Sequence, residues 1–300
     1  MKNFLAIDIG GTFVKYGVVS ENAVINHLNK VKTPETLQSL LDLIEHLSQS
    51  LSNISGIAVS CPGAVSDDGI IYGSSAVPYI HGPNMKQLIG EKTGLHVYLE
   101  NDANCAGYAE IWDGNGKGKN DVLVMVIGTG IGGAIFKNGS LHKGANLHGG
   151  EFGYMLLTNS ISNSDDVWSR LASTKALVKK VASLKQVDSH VLTGEQVFEL
   201  AESGDVEVAK IVEDFYHLLA VGIYNLQYIY DPEVILIGGG ISQREDLIEK
   251  ITQKLDLIIE KIDLAKIKPS IARCKFAQDA NLLGAVYGYL KSNEIKMQRR

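Results

Sequence analysis

Cysteine is scarce: Cys61, Cys105 and Cys274 are the only three in 300 residues, and they lie far apart. An odd count without a Cys-x-x-Cys or Cys/His knuckle supports neither a disulfide framework nor a structural zinc site. Proline is also scarce, at six, and no low-complexity tract occurs, which excludes a disordered or fibrous chain. Positive charge is in deficit, with 28 Lys plus Arg against 34 Asp plus Glu and a net charge of −6. That balance argues against a nucleic acid or an anionic membrane as the main partner, while leaving room for a local cationic spot facing a phosphate. No apolar run reaches the ~18 residues of a membrane span. The first residues, MKNFLAIDIGG, break at Asp8 and read as a strand rather than a signal peptide. A soluble, cytoplasmic chain is expected. Glycine, by contrast, is abundant at 31, so the backbone must turn tightly in many places.

The periodicity predicts an α/β chain. Short apolar runs at 3–9, 13–20, 23–31, 54–59, 96–99, 122–127, 134–137, 234–237 and 267–272 read as strands. Thr33-Pro34 opens a predicted helix, with Pro at the first helical position. Further helices are expected at 85–93, 104–111, 165–184, 193–203, 205–230, 244–262 and 280–290, and Thr193 with Gln196 has the spacing of a capping box. The run GNGKGKN at 114–120 is the best linker and hinge candidate. After it the pattern restarts: LAIDIGGTFVKYGVV and LVMVIGTGIGGAIFK are each strand, glycine turn, strand. The repetition suggests two similar α/β domains facing one another.

Gly128, Gly130 and Gly133 match GxGxxG, but a strand follows where a dinucleotide fold needs a helix, and no GxxxxGK[ST] occurs. A glycine hairpin can still bind phosphate, because backbone N–H groups without side chains in the way converge on an anion. Thr12 and Thr129 add a hydroxyl to each turn, and Lys15 adds a cation. Asp8 ends an apolar strand, where a carboxylate needs a partner. Beside a phosphate turn that partner is Mg²⁺, directly or through water; the alternative is capping of the amides at 10–12.

Asp8-Ile9-Gly10-Gly11-Thr12-x-x-Lys15 resembles the phosphate hairpin of the actin-like ATPase superfamily. Cys61-Pro62-Gly63, Glu100-Asn101-Asp102-Ala103-Asn104, Gly128-Thr129-Gly130-Ile131-Gly132-Gly133, Gly149-Gly150-Glu151-Phe152-Gly153 and Ile237-Gly238-Gly239-Gly240-Ile241-Ser242 follow in the order and spacing of the ROK family of sugar kinases and sugar-responsive repressors. The resemblance runs from Phe4 to about Tyr289. It implies two actin-like (ribonuclease H-like) domains with a central cleft. Residues 1–116 with 281–300 would form an N-terminal lobe carrying the first phosphate hairpin and the sugar and catalytic residues. Residues 117–280 would form a C-terminal lobe with the second hairpin and the adenosine site. The implied activity is ATP-dependent phosphorylation of a sugar hydroxyl, with Mg²⁺, in a protein that resembles homodimers.

The same resemblance implies roles. Asp102 would be the general base, although Asn101-Asp102 also reads as a cap on the helix near Ala103. Asn101, Glu151 and Gly63 would contact the sugar. Asp8, Gly10, Gly11, Thr12, Lys15, Gly128, Thr129, Gly130, Gly132, Gly239, Gly240 and Ser242 would face the nucleotide, with Asp8 toward Mg²⁺. Two departures stand out. Tyr154 stands where the family has a histidine that binds zinc and sugar, and 158–164 replaces the cysteine knuckle, so no zinc is expected. Tyr154 or His148 would take over the lost contact. Ala76 stands where many members have a sugar-touching asparagine, and Ser75 or Asn84 would substitute. The altered pocket admits N-acetylmannosamine, another hexose or N-acetylhexosamine, or a β-glucoside, besides glucose. The competing readings are a sugar-responsive repressor, which needs a DNA-binding motif before the first hairpin, and a non-kinase actin-like ATPase.

Overall fold

The computed structural model describes residues 2–158 and 164–298, and the chain divides into two compact units. Unit 1 comprises 1–118, 143–149 and 278–300; unit 2 comprises 119–142 and 150–277.

Unit 1 contains β1 (Asn3–Ile9), β2 (Phe13–Ser20), β3 (Ile25–Lys32), α1 (Leu37–Ser50), β4 (Ile54–Cys61), β5 (Ala64–Val65), β6 (Ile71–Tyr72), α2 (Met85–Thr93), β7 (Val97–Asn101) and α3 (Asp102–Asp113). Unit 2 contains β8 (Val122–Ile127), β9 (Ile131–Lys137), β10 (Ser140–Leu141), α4 (Trp168–Ala172), α5 (Thr174–Lys185), α6 (Gly194–Glu202), α7 (Val206–Tyr230), β11 (Val234–Gly238), α8 (Leu247–Lys261) and β12 (Ile271–Arg273). The last helix, α9 (Ala280–Gln298), returns to unit 1. The two sheets are ordered β3-β2-β1-β4-β7 and β10-β9-β8-β11-β12. In each, an antiparallel meander of three strands is extended by two parallel strands. The repeated opening read in the sequence is therefore a repeated sheet, strand for strand.

Alternation along β1 sets the layers of unit 1. Leu5, Ile7 and Ile9 join the core under α1 and α2, built from Leu40, Ile44, Leu47, Met85 and Ile89. Phe4 and Asp8 point to the other face, where Phe4 meets Tyr289 and Asp8 meets Asn281 of α9. Helix α9 lies unusually close to its neighbours because glycines line its contact face. A Cβ on Gly284 would sit 1.6 Å from the Cys105 carbonyl oxygen in α3, and one on Gly288 would sit 2.5 Å from the Tyr98 ring. In unit 2 the long helix α7 packs Phe215, Leu219, Ile223 and Leu226 against β8 and β11, and Trp168 fills the space over Gly222.

Several predicted boundaries need correction. Thr33-Pro34 does not start a helix. The chain stays extended, with the Thr33 amide donating to Thr12 O and its hydroxyl to Gly10 O, and α1 starts later under the Thr36 cap. The helix expected at 165–184 is two helices, divided at the buried Ser173, whose hydroxyl caps α5 by accepting from the Ala176 amide. Helix α3 begins at Asp102 rather than Asn104, the strand at 267–272 shrinks to β12, and α9 runs on to Gln298. The capping box at Thr193 and Gln196 is present in full.

Candidate functional site

In unit 1 the predicted residues gather at the carboxyl ends of β1, β4 and β7, where open α/β sheets place their sites. The β1–β2 turn is tight: the Gly10 amide donates to Phe13 O at 3.0 Å, and a Cβ on Gly11 would meet the Ala76 Cβ at 2.6 Å. Gly11 and Thr12 are exposed. Asp8 pairs across the strands with Lys15, and its Oδ1 accepts from Ser60 Oγ at 2.8 Å and from Asn281 Nδ2 at 3.1 Å. Burial pushes the Asp8 carboxyl above its ordinary range, and those two bonds and Lys15 pull it back.

Asn101 ends β7 and caps α3. Its Oδ1 accepts from the Ala103 and Asn104 amides at 2.9 and 3.1 Å, while its Nδ2 donates to Gly63 O at 3.1 Å. Gly63 has φ of 103°, and a Cβ there would lie 2.7 Å from Tyr72 O, so both conformation and space demand glycine. Asp102 is the first residue of α3, with Oδ1 accepting from the Ala103 amide at 2.8 Å. The positive end of the helix favours a carboxylate there. Ser75 Oγ lies 2.8 Å from His81 Nε2 and accepts from the Val77 amide. Asn84 caps α2 instead of projecting freely. His148 is exposed, with Nδ1 2.6 Å from Asn146 O.

Beneath these residues lies a group that the sequence offered only as part of a motif. Glu100 is buried; its Oε1 accepts from the Asn101 amide and from Asn104 Nδ2, and its Oε2 meets Lys143 Nζ at 3.2 Å. Lys143 itself was not anticipated, because it lies 43 residues away in sequence with no motif to mark it.

Unit 2 gathers the second glycine turn and the turn after β11. Gly128 donates to Gly130 O at 2.9 Å, and a Cβ on Gly128 would meet nothing within 4 Å, so the turn opens to space. Thr129 is exposed; Gly132 lies within β9, paired with Val126. The start of α5 adjoins this turn through the Lys175 amide and Gly128 O. Gly239 has φ of 90°, and a Cβ there would strike Ile127 O. Ser242 spends its hydroxyl inside the turn, donating to Gly239 O at 2.7 Å. A cavity of about 740 Å³ lies between the two turns, lined by Thr129, Lys175, Phe198, Gly240, Ile241 and Arg244 among others. On its wall the Arg244 guanidinium lies over the Phe198 ring at 4.0 Å, held by Asp246 and Glu202. Arg244 and Phe198 escaped the sequence reading because only folding joins α6 to the β11 turn.

Gly150 has φ of 94° and lies against Gly133 O, which accounts for the glycines around Glu151: they let this segment rest on β9. Glu151 precedes a 3₁₀ turn, Phe152–Tyr154, and Tyr154 is 70% exposed. Residues 159–163, within the segment that replaces the cysteine knuckle, lie outside the described residues. Among the described residues no three His, Cys, Asp or Glu side chains cluster as metal ligands, and no helix is long and apolar enough to cross a membrane.

Residues 4–291 match the ROK family. The chain belongs to it. This ROK chain is 35% identical over 291 residues to a β-glucoside kinase of Listeria monocytogenes, covering 95% of this chain and 97% of the other. It is 33% identical over 293 residues to a β-glucoside kinase of Klebsiella pneumoniae, covering 95% of each. A solved structure of a ROK family protein from Streptococcus pneumoniae in complex with sucrose superposes with a TM-score of 0.92 at 36% identity, covering 97% of this chain and 99% of that one. The actin-like α/β fold of the ROK kinases is thus the fold of this chain.

Proposed function

We propose that this protein is an ATP-dependent sugar kinase that phosphorylates a sugar hydroxyl, with a β-glucoside as substrate and its primary C6 hydroxyl as acceptor. The observation that supports it most is the Asn101–Asp102 pair at the end of β7, in a ROK chain whose relatives at 33–35% identity include β-glucoside kinases. Asp102 would accept the proton of the attacking hydroxyl. Asn101 has a second amide N–H to offer the sugar while its first holds Gly63. Glu151, Gly63, Ser75, and His148 or Tyr154 would complete the sugar contacts. The turns at Gly10–Thr12 and Gly128–Gly130, with Lys15, would hold the phosphates, and the cavity beside Gly240 the adenosine. Unit 1 would then be the sugar and catalytic lobe, and unit 2 the adenosine lobe. In such a transfer most of the catalysis is positioning and charge neutralisation.

Asp8 suits a Mg²⁺ held through water. Both of its side-chain bonds fall on Oδ1, which leaves Oδ2 for a coordinated water, and Mg²⁺ typically keeps several waters and takes few protein ligands. Bound there with ATP, the ion would neutralise phosphate charge. We infer no zinc, since Tyr154 offers neither an imidazole nor a thiol; metal analysis of the purified protein tests this. A cytoplasmic homodimer is inferred from kinship alone, and sedimentation would test it.

The deciding experiment is a coupled kinase assay over cellobiose and other β-glucosides, glucose, N-acetylmannosamine and N-acetylglucosamine. Turnover highest on a β-glucoside is expected. Turnover on hexosamines alone would overturn the substrate assignment, and none on any sugar would overturn the kinase.

A further inference from the structure

Residues 143–149 belong to unit 1, although the chain before and after them, 119–142 and 150–277, belongs to unit 2. The segment is a loop closed on itself. The Gly149 amide donates to Lys143 O at 2.8 Å, and Gly144 and Leu147 take positive φ at the bends. One side chain ties it to the sheet of unit 1. Lys143 Nζ lies 3.2 Å from Glu100 Oε2 and 3.2 Å from Asp67 Oδ1. The two legs are unequal. The Asp67 side chain is 96% exposed, so that leg is solvated and weak, while the Glu100 side chain is only 3% exposed.

Glu100 is fully engaged. Oε1 takes the Asn101 amide at 2.9 Å and Asn104 Nδ2 at 3.0 Å; Oε2 takes Lys143 and, at 3.4 Å, the Tyr98 hydroxyl. One carboxylate thus holds both the start of α3, which carries Asp102, and the loop that carries His148 and leads into Glu151. A buried ion pair adds little net stability, since an apolar pair of similar volume often does as well. What it can fix is geometry. The charges around it are also crowded: Asp102, Glu100 and Asp8 all act on the buried Cys61 thiol, and Lys143 acts on it in the opposite sense.

We propose that Lys143 is a positioning residue for the sugar end of the site, pinning the 143–149 loop through Glu100 to the strand end that presents Asn101 and Asp102. The inference rests on the sugar-kinase reading above. Small displacements of a positioning group lower rates or affinities by as much as about a hundredfold, so the effect is measurable.

The test compares the wild type with Lys143→Met and Lys143→Arg. Sugar KM, ATP KM and kcat are read with the best sugar, and hydrogen exchange of the 143–149 peptide is read with no sugar present. Lys143→Met is expected to raise sugar KM about tenfold or more, to leave ATP KM within about twofold, and to speed exchange in 143–149; Lys143→Arg should restore most of each. Unchanged exchange in Lys143→Met overturns the proposal. So does a parallel rise of both KM values with a lowered melting temperature, which marks a general structural role, and so does faster exchange with unchanged sugar kinetics. A wild type inert on every sugar sinks the kinase reading. Faster exchange confined to 143–149 would then still uphold the pin, and unchanged exchange would still overturn it.

Discussion

Replacing Asp102 with Asn tests the proposed base while keeping the shape of the side chain. The Asp102 carboxylate accepts from the Ala103 amide at 2.8 Å, and an amide oxygen accepts the same bond. The cap of α3 belongs to Asn101, whose Oδ1 takes the Ala103 and Asn104 amides, so it survives the change. The expected folding loss is that of one charge at a helix N-terminus, about 0.3–1 kcal/mol, or under about 4 °C in Tm for a domain of this size. The catalytic loss is larger. A general base contributes on the order of 10²–10⁴ in rate, which corresponds to about 3–5 kcal/mol of barrier. The expected Asp102→Asn protein melts within a few degrees of the wild type, binds sugar by calorimetry within about threefold because an amide still bonds a hydroxyl, and turns over at least about a hundredfold more slowly in a coupled assay. Turnover within about tenfold of the wild type would remove Asp102 from the chemistry. A large drop in Tm would show that the carboxylate carries structure that the hydrogen bonds do not reveal.

Three further outcomes follow from the same geometry. Gly130→Val should fold, because a Cβ there meets only the Ser169 side chain, Oγ at 3.4 Å and Cβ at 3.9 Å, and should weaken ATP binding far more than sugar binding in calorimetry; equal weakening would make this turn merely structural. Gly284→Ala should lower stability by about 1–3 kcal/mol or more in urea unfolding, since the added Cβ would lie 1.6 Å from Cys105 O, and an unchanged midpoint would refute the close packing of α3 on α9. Burial, with Asp102, Glu100 and Asp8 adding to it, holds the Cys61 thiol well above its ordinary range, and burial with Glu100 does the same for Cys105. Iodoacetamide at mildly alkaline pH should therefore label Cys274 in the native protein and spare the other two until denaturant is added; rapid labelling of all three by mass spectrometry would refute this.

The sequence showed the fold well where local chemistry decides it. Strand, glycine turn, strand occurs twice, and each occurrence opens a sheet of the same order. The Thr193 capping box was legible because all its partners lie within four residues. Boundaries set by long-range contacts were not legible. Thr33-Pro34 looks like a helix start, but Thr33 is taken by Gly10 and Thr12 across the sheet, and the Pro34 carbonyl accepts from the Tyr79 hydroxyl. The site divides along the same line. Motif residues in turns could be named from sequence, whereas Lys143, Arg244, Phe198 and His81 act through partners that only folding supplies.

At Asn101 and Asp102 a structural role and the proposed chemical one do not exclude each other. From sequence the two compete, since either residue caps a helix well and the pair precedes one. The structure gives the capping bonds chiefly to Asn101 and uses one of its amide N–H groups to hold Gly63 O, while Glu100 accepts from the Asn101 backbone amide. Each bond restrains the backbone that carries Asp102, and none of these three uses the Asp102 carboxylate. A base must be held in place by groups other than itself if its oxygens are to meet a substrate. On the proposed role of Asp102 the cap holds the base in place, and a change at Asn101 should disturb folding and turnover together where one at Asp102 separates them.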